Sequence, residues 1–244
     1  DRHRLSCRTP LMLKGGYMLL GLDVGGTFTD AVIIDGHRVV ATAKRRTTKD
    51  NLMNGIGEAL DAVLEGYDTS NIEQVTLSTT VVTNTIVEAK EQVVDLYVIT
   101  GPGRNVDDIF PVEPIYLQGY TDHRGIVVER TPADAVHGIA NMVQARSGTD
   151  LAAVSAKFGV RNPQEELSIT EELKNTYHTI SNGSLLSGSL NFPRRTISAY
   201  FNSAVTPVFT VFKKNVEDAL SARNILAPLH ILKADGGSLP MEHM

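Results

Sequence analysis

After a basic leader, the chain carries short apolar runs separated by turn residues, which is the pattern of consecutive strands. Gly25-Gly26 separates the first two runs and Asp35-Gly36 the second and third, and both pairs are typical of hairpin turns. A stretch with apolar residues at helical spacing follows, and then a short β-branched run. We therefore predict strands over 18–24, 30–35 and 38–43, a helix over 51–64 and a strand over 75–77.

The remaining pattern alternates between helices and strands. The predicted elements are a helix from Ser78 or Thr79 to about Lys90, a strand over 93–99, loops and short strands over 105–130, a helix over 133–145, a strand over 151–158, a helix entered through Asn162 and Pro163, a helix from 193 to about 223 kinked at Pro207, and a strand over 229–232. Residues 181–189 are rich in serine and glycine and mark a candidate boundary. We expect a leader over 1–17 with Met18 as the natural start, a first domain over 18–190, and the beginning of a second domain over 191–244.

Composition excludes several classes of function. The chain has 244 residues, 42% of them hydrophobic, which is enough for a buried core in one or two domains. Its formal net charge of -5 gives no reason to expect nucleic-acid or anionic-membrane binding. A single cysteine, Cys7, excludes an internal disulfide and suits a reducing cytoplasm. No apolar run is long enough to span a membrane, and no histidine or cysteine cluster has the spacing of a zinc site.

The most informative stretch is 22–30, where a carboxylate, two glycines, two threonines and a second carboxylate follow one another. Alternation along a strand predicts that Thr27 and Thr29 face one way and Asp30 the other. Glycines leave backbone N–H groups uncovered, and successive N–H groups form a concavity that binds phosphate. Asp23, at the end of the first strand, is placed to hold Mg²⁺ directly or through water, because this ion prefers oxygen ligands.

An ordinary hairpin would explain the glycine pair alone, but it does not explain the whole string. No Gly-Lys-Ser/Thr follows, so this is not a Walker loop, and the three spaced glycines of a dinucleotide fold are missing. The basic run 44–46 either steers an anion or is simply a solvated strand end. We expect a phosphate-binding hairpin at 23–30.

Segment 78–85 joins a short strand to a helix. The residues alone leave two readings open: Ser78 or Thr79 caps the helix, or the hydroxyl and N–H groups at the helix start bind an anion. The turn 100–104 follows a buried strand and is also placed to contact a ligand.

Two further segments carry candidate chemistry. Arg195, Ser198 and Asn202 share one face of the long helix, either as a solvated stripe or as part of a substrate site. Segment 229–238 repeats the sequence pattern of the first hairpin: an apolar strand, a carboxylate, paired glycines and a hydroxyl. Two such hairpins facing each other across a groove would hold a nucleotide's phosphates from opposite sides.

The string Gly-Leu-Asp-Val-Gly-Gly-Thr-Phe-Thr-Asp resembles the first phosphate motif of the actin-like ATPase superfamily, and within it the hydantoinase/oxoprolinase family, which contains ATP-dependent N-methylhydantoinases and 5-oxoprolinases. Segment 79–84 resembles the Gly-Thr-Thr-x-x-Thr-Asn signature of that family. Many members have His-Gly before the paired threonines, whereas this chain has Leu77-Ser78 and no histidine at that position. Segment 161–166 resembles the family's Arg-Asn-Pro-x-x-Glu stretch, in which we interpret Glu166 as structural.

The resemblance implies an α/β fold: a ribonuclease-H-like (actin-like ATPase) domain with a mixed sheet flanked by helices, plus the start of a second such domain. It also implies that the chain is part of an ATP-dependent hydrolase that opens a cyclic amide or imide by phosphorylating its carbonyl, with ATP and Mg²⁺ as cofactors. Asp23 would organise Mg²⁺. The implied catalytic residues are Asp23, Asp30 and Asp235, the nucleotide-binding residues are Gly25, Gly26, Thr27, Thr29, Thr79, Thr80, Thr83, Asn84, Gly236 and Gly237, and the substrate-side residues are Arg195, Ser198 and Asn202.

The implied partners are a small cyclic amide and a second subunit of the hydantoinase B type, and a homo-oligomer is compatible with them. Two alternatives remain open: an actin-like ATPase that remodels or reactivates a partner enzyme, and a sugar-kinase-like phosphotransferase. A hydrolase is expected to use ATP in response to a small substrate, a remodeller in response to a partner protein.

Overall fold

A computed structural model describes residues 17–47, 52–103 and 107–243. The predicted leader lies outside these residues except for Tyr17. The strands are β1 Met18–Val24, β2 Phe28–Asp35, β3 Arg38–Arg46, β4 Ile72–Thr79, β5 Asp95–Ile99, β6 Ile115–Tyr116, β7 Tyr120–Thr121, β8 Val127–Glu129, β9 Leu151–Ala156, β10 Thr179–Asn182, β11 Leu229–Leu232 and β12 Ser238–Pro240. The helices are α1 Leu52–Leu64, α2 Val81–Val87, α3 Ala133–Ser147, α4 Gln164–Leu173, α5 Gly183–Leu186 and α6 Phe192–Ser221.

Contacts divide the chain into two compact units. Among the described residues, the first unit comprises those up to Val81 and those from Val211 onward, and the second unit comprises those within Val82–Thr210. The chain leaves the second unit within α6, so contacts do not divide near residue 190. The family-level boundary that we expect there stays a prediction.

The first unit contains a six-stranded mixed sheet in the order β12-β11-β4-β1-β2-β3. β1 pairs antiparallel with β2 and parallel with β4, and β11 is parallel to β4. Burial alternates along β1, where Leu20 and Leu22 are buried and Asp23 is exposed. One face of the sheet therefore forms the core with α1, which contacts β2 and β3, and the other face is available for polar chemistry.

A β-bulge changes the register of the second hairpin. Ile34 lies opposite Val39, but Ile33 lies opposite Ala41, so Val40 is the extra residue. The carbonyl of Val40 accepts a hydrogen bond from the hydroxyl of Tyr67 at 2.9 Å. The bulge shifts every later pair by one position and places Lys44 opposite Asp30.

The second unit contains a four-stranded parallel sheet in the order β10-β9-β5-β6. Every residue of β5 and β9 is buried, as expected for strands that are covered on both faces. One core includes Val136 and Ala140 of α3 and Ile169 of α4, and the other includes Phe192 and Ala199 of α6.

Glu166 ties three segments of the second unit together, as the structural interpretation of segment 161–166 expects. Its fully buried carboxylate accepts hydrogen bonds from the backbone N–H of Ala156 at 2.7 Å and from the backbone N–H and hydroxyl of Ser184 at 2.8 and 2.5 Å. The side chain of Asn162 accepts a hydrogen bond from the backbone N–H of Gln164 at 3.1 Å, but α4 begins at Gln164 with Pro163 as its N-cap, one position later than the entry predicted with Asn162 as N-cap.

Two helix ends differ from their predictions. α2 ends at Val87 rather than near Lys90, because Ala89 takes a left-handed conformation with φ of 50°. α6 ends at Ser221, and Asn224, with φ of 55°, provides a left-handed residue just beyond it. No helix in the described part of the chain is both long and apolar enough to cross a membrane.

Candidate active site at the edge of the six-stranded sheet

Three segments that the sequence singles out meet at one edge of the six-stranded sheet. β1, β4 and β11 are parallel, so their carboxyl ends lie at the same edge, which we call the carboxyl edge. The bend 25–27 follows β1, Thr80 follows β4, and the bend 233–237 follows β11. Ligands of open α/β sheets bind beyond the carboxyl ends of strands.

The first bend is held by backbone hydrogen bonds. The N–H of Gly25 donates to the carbonyl of Phe28 at 3.0 Å, and the carbonyl of Thr27 accepts from the N–H of Thr47 at 2.9 Å. Gly25 is not in the left-handed region that a primed hairpin turn requires. Glycine suits this position for a different reason: the backbone of Phe28 approaches closely, and a Cβ on residue 25 would lie 3.2 Å from the carbonyl oxygen of Phe28.

Acidic and basic side chains form a row across the sheet near this bend. Asp23 lies opposite Ser78 on one side and Asp30 on the other, and Asp30 lies opposite Lys44. Both carboxylate oxygens of Asp30 accept from the Lys44 ammonium at 2.9 Å, and the ammonium lies 4.9 Å from the centre of the Phe28 ring. The row opens onto a cavity of about 430 Å³ that is lined by Gly21, Leu22, Asp23, Asp30, Ala31, Val32, Thr42, Ala43, Lys44, Thr76, Ser78 and Leu232.

Asp23 differs from Asp30 in its partners. Asp30 is paired with Lys44, whereas the exposed carboxylate of Asp23 has no hydrogen-bond or ion-pair partner among the described residues. The two carboxylates are cross-strand neighbours, so their charges repel and a cation beside Asp23 would relieve that repulsion. No group of three acidic, histidine or cysteine side chains in the described ranges could enclose a metal. Mg²⁺ that is held mainly by substrate phosphates and water needs only one or two carboxylates, which Asp23 fits.

Two of the predicted threonines have structural hydrogen bonds. Thr29 is fully buried and its hydroxyl lies 3.0 Å from that of Thr47, so its side chain does not line the cavity. The hydroxyl of Thr79 donates to the carbonyl of Val24 at 2.9 Å and accepts from the N–H of Val81 at 3.2 Å. Thr79 therefore joins the ends of β1 and β4 and shapes the helix entry. Thr80 is exposed at the carboxyl edge.

The second bend is a tight turn in which Asp235 is already engaged. Its carboxylate accepts from the N–H of Gly237 at 2.9 Å and from the ammonium of Lys233 at 3.0 Å. These contacts, led by the Gly237 N–H, hold the pKa of Asp235 below its ordinary value, so the carboxyl group stays ionised. Gly236 has φ of 84°, a conformation that favours glycine.

The expected arrangement of the two bends is wrong in one respect. We predicted that they would face each other from opposite sides of a groove, but β11 and β12 extend the same sheet as β1. Only β4 separates β1 from β11, so the two bends follow strands roughly 10 Å apart at one edge. Leu232, the last residue of β11, lines the same cavity as Asp23. The two bends therefore lie side by side at one edge of the sheet and do not face each other across a groove.

The other predicted site residues belong to the second unit. Thr83 and Asn84 lie in the seven-residue helix α2. Arg195 is fully buried and donates to the carbonyls of Ser189 at 2.7 Å and Ala156 at 2.5 Å. Burial lowers the pKa of its guanidinium, and the charge of Glu166 opposes that shift.

The predicted polar stripe on α6 is thus divided. Ser198 and Asn202 are exposed, and Asn202 donates to the hydroxyl of Ser181 at 3.0 Å. The guanidinium of Arg195 is fully buried and bonded to backbone carbonyls, so a substrate arriving from solvent does not reach it in this arrangement. A substrate role for these residues stays a prediction.

Sequence reasoning missed Thr76 as a lining residue of the cavity, and it considered Lys44 and Ser78 only as possible anion-binding residues of their own segments. Alternation along β4 could have identified Thr76 and Ser78, because both lie on the same face as Asp23. Lys44 could not be identified in this way, since an unbroken hairpin would place Ala43 opposite Asp30.

The family model of the hydantoinase/oxoprolinase N-terminal region matches residues 19–177, which include the first hairpin except Met18 and most of the second unit. The chain belongs to the hydantoinase/oxoprolinase family. A search of curated proteins finds no match.

Two solved structures share the fold of this hydantoinase/oxoprolinase chain. A nucleotide-free acetone carboxylase has a TM-score of 0.73 at 16% identity, over 92% of this chain and 37% of its own. An ATP-dependent caprolactamase from Pseudomonas jessenii has a TM-score of 0.73 at 19% identity, over 91% of this chain and 36% of its own. The predicted fold class, a mixed α/β sheet flanked by helices, is confirmed, and the chain spans little more than a third of either solved structure.

Proposed function

We propose that this chain supplies the nucleotide-binding sheet of an ATP-dependent hydrolase that opens a small cyclic amide or imide of the hydantoin or 5-oxoproline type. The observation that carries the proposal is the meeting of the 25–27 bend, Asp23 and the 233–237 bend at the carboxyl edge, beside a cavity. Family membership supports it. Two proteins of similar fold are described as ATP-dependent, and one of them is a lactamase.

The chemistry explains why such a hydrolase needs ATP. Resonance makes an unstrained amide carbonyl a poor electrophile. When the carbonyl oxygen attacks the γ-phosphorus, ADP leaves and the ring carbon becomes reactive. Water then adds to that carbon and the C–N bond breaks, which leaves an acyl phosphate on the opened ring. A second water hydrolyses this acyl phosphate to the carboxylate and phosphate. Catalysis of this kind depends on positioning and charge neutralisation rather than on a protein nucleophile.

The proposed roles follow from the partners of each residue. Gly26 and Thr27 present backbone N–H groups to phosphate oxygens at the bend, while the N–H of Gly25 closes it through its bond to Phe28. At the neighbouring bend the N–H groups of Gly236 and Gly237 are used within the turn, and these glycines let the backbone approach the phosphates closely. Asp23 provides the carboxylate for Mg²⁺, which when bound neutralises charge on the phosphates. Asp30 is already paired with Lys44, so its role is to hold the neighbouring charged side chains in position and not to bind the metal.

ATP turnover of the full-length protein, measured with and without hydantoin, 5-oxoproline and a lactam, tests the proposal. We expect one of these rings to stimulate ATP hydrolysis and to yield one ring-opened product per ADP, detected by mass spectrometry. Turnover that responds only to a partner protein, or a phosphorylated sugar as product, would contradict the proposal and favour one of the alternative functions.

Partners remain part of the proposal. A second subunit of the hydantoinase B type would complete the site for the ring, and a homo-oligomer is compatible with this arrangement. Co-purification of the full-length protein with such a subunit, followed by the same turnover assay, shows whether ring opening requires it.

A further inference from the structure

The four-stranded sheet of the second unit has a topological switch point that the proposed function does not use. β5 continues to β6 on one side of the sheet, whereas β9 continues through α4 to β10 on the other side. The connections therefore leave the adjacent carboxyl ends of β5 and β9 in opposite directions. Such a switch point is where open parallel sheets bind ligands.

The loop after β5 is shaped by two glycines. Gly101 has φ of 59° and Gly103 has φ of 138°, and both values favour glycine. A Cβ on Gly101 would lie 2.3 Å from the ring of Tyr120. In the part of the chain that the structure describes, the backbone N–H groups of Gly101 and Gly103 have no protein acceptor. Residues 104–106, including Arg104 of the predicted turn, lie outside the described residues.

Lys157 is the first residue after β9 and therefore lies at the same switch point. Its N–H donates to the carbonyl of Ile99 at 2.9 Å, and its own carbonyl accepts from buried Arg195 at 3.4 Å. Its ammonium lies 3.3 Å from the carbonyl of Pro102. A Cβ on Gly103 would lie 3.0 Å from that ammonium, so the missing side chain makes room for it.

The charge of Lys157 is not balanced locally. An ammonium has three donors, and one of them is used by Pro102. Among the residues with described side chains, no carboxylate lies within ion-pair distance of Lys157. A fixed ammonium beside two backbone N–H groups without acceptors is the arrangement that holds an anionic oxygen group.

We propose that the loop 100–103 and Lys157 form a second ligand site that binds a phosphate or carboxylate group of a small molecule. The site lies wholly within the second unit and does not depend on the nucleotide site at the carboxyl edge of the six-stranded sheet. Thr100, whose hydroxyl has no partner among the described residues, adds a further donor at the loop.

Amide resonances in a ¹⁵N-labelled chain test the proposal with site resolution. We expect the Gly101 and Gly103 signals to shift saturably on titration with inorganic phosphate or acetate, but not with chloride at the same ionic strength. A response to phosphate alone identifies a phosphate site, and a response to acetate alone identifies a carboxylate site. Lys157→Gln should lower the affinity for the anion by about tenfold or more, because the substitution removes a charge-assisted hydrogen bond.

Lys174→Gln is the matched control, because Lys174 lies in the same unit and its ammonium pairs, among the described residues, with exposed Glu171 alone. It should bind like the wild type, and Lys157→Arg should retain most of the affinity. The proposal is overturned if the glycine signals do not move, if they move equally with chloride, or if Lys157→Gln binds like the wild type. The comparison with chloride is made on the wild type and so does not depend on the folding of a variant.

Discussion

Replacing Asp23 by asparagine in the full-length protein lowers kcat/KM for ATP by about 100-fold, the scale of losing a metal-positioning carboxylate. The reason is local: Asp23 is the carboxylate of the row that has no protein partner in the described ranges, whereas Asp30 is bound by Lys44. Because the substitution breaks no contact in the described structure, the free energy of unfolding should stay within about 0.5 kcal/mol of the wild type. Steady-state kinetics at several Mg²⁺ concentrations measures the effect, and higher Mg²⁺ should restore part of the activity.

Asp35→Asn is the matched control for this experiment. Asp35 belongs to the same hairpin, but it lies opposite Met18, at the far end of the strands from the bend. We expect nearly unchanged turnover for this variant. An equal loss of ATP turnover in both variants, or unchanged turnover in Asp23→Asn, would contradict the assignment of Asp23 as the Mg²⁺ ligand.

Replacing Glu166 by alanine destabilises the protein by about 3 kcal/mol or more, the largest stability effect that we expect from a single substitution in this chain. The substitution leaves the N–H of Ala156 and the N–H and hydroxyl of Ser184 without their acceptor inside the second unit. It also leaves the charge of buried Arg195 without its neighbouring carboxylate. Urea unfolding followed by circular dichroism measures the difference.

Glu171→Ala controls for the loss of a glutamate from the same helix. Glu171 is exposed, and in the described ranges its one ion-pair partner is exposed Lys174, so this substitution should cost less than about 0.5 kcal/mol. If Glu166→Ala unfolds at the same urea concentration as Glu171→Ala, the hydrogen bonds of Glu166 do not stabilise the second unit as proposed.

The strands and helices of this chain were predictable wherever one period dominated the sequence. β1 has the predicted bounds, because its alternation is regular and a glycine pair follows it directly. α2 ends early because Ala89 is left-handed, and alanine gives no sequence signal for that conformation. β3 continues through its three basic residues, since an exposed strand can end in charged side chains.

The candidate site was predictable in its motifs but not in its arrangement. Asp23, Asp30 and the two bends are recognisable as residue strings. Their juxtaposition depends on long-range pairing of β11 with β4, which no local pattern encodes. The contact between Lys44 and Asp30 depends on the bulge at Val40. Burial of Arg195 also went unforeseen, because helical spacing does not show which face of α6 packs on β9.

The central claim is that a nucleotide's phosphates lie at the carboxyl edge, on the bend 25–27 and beside Asp23. A crystal structure of the full-length protein with Mg²⁺ and a non-hydrolysable ATP analogue tests it most directly. We expect phosphate oxygens within hydrogen-bond distance of the backbone N–H groups at Gly26 and Thr27, and Mg²⁺ bound to Asp23 directly or through one water. Phosphates bound elsewhere, with the bend 25–27 and Asp23 contacting only solvent, would contradict the account.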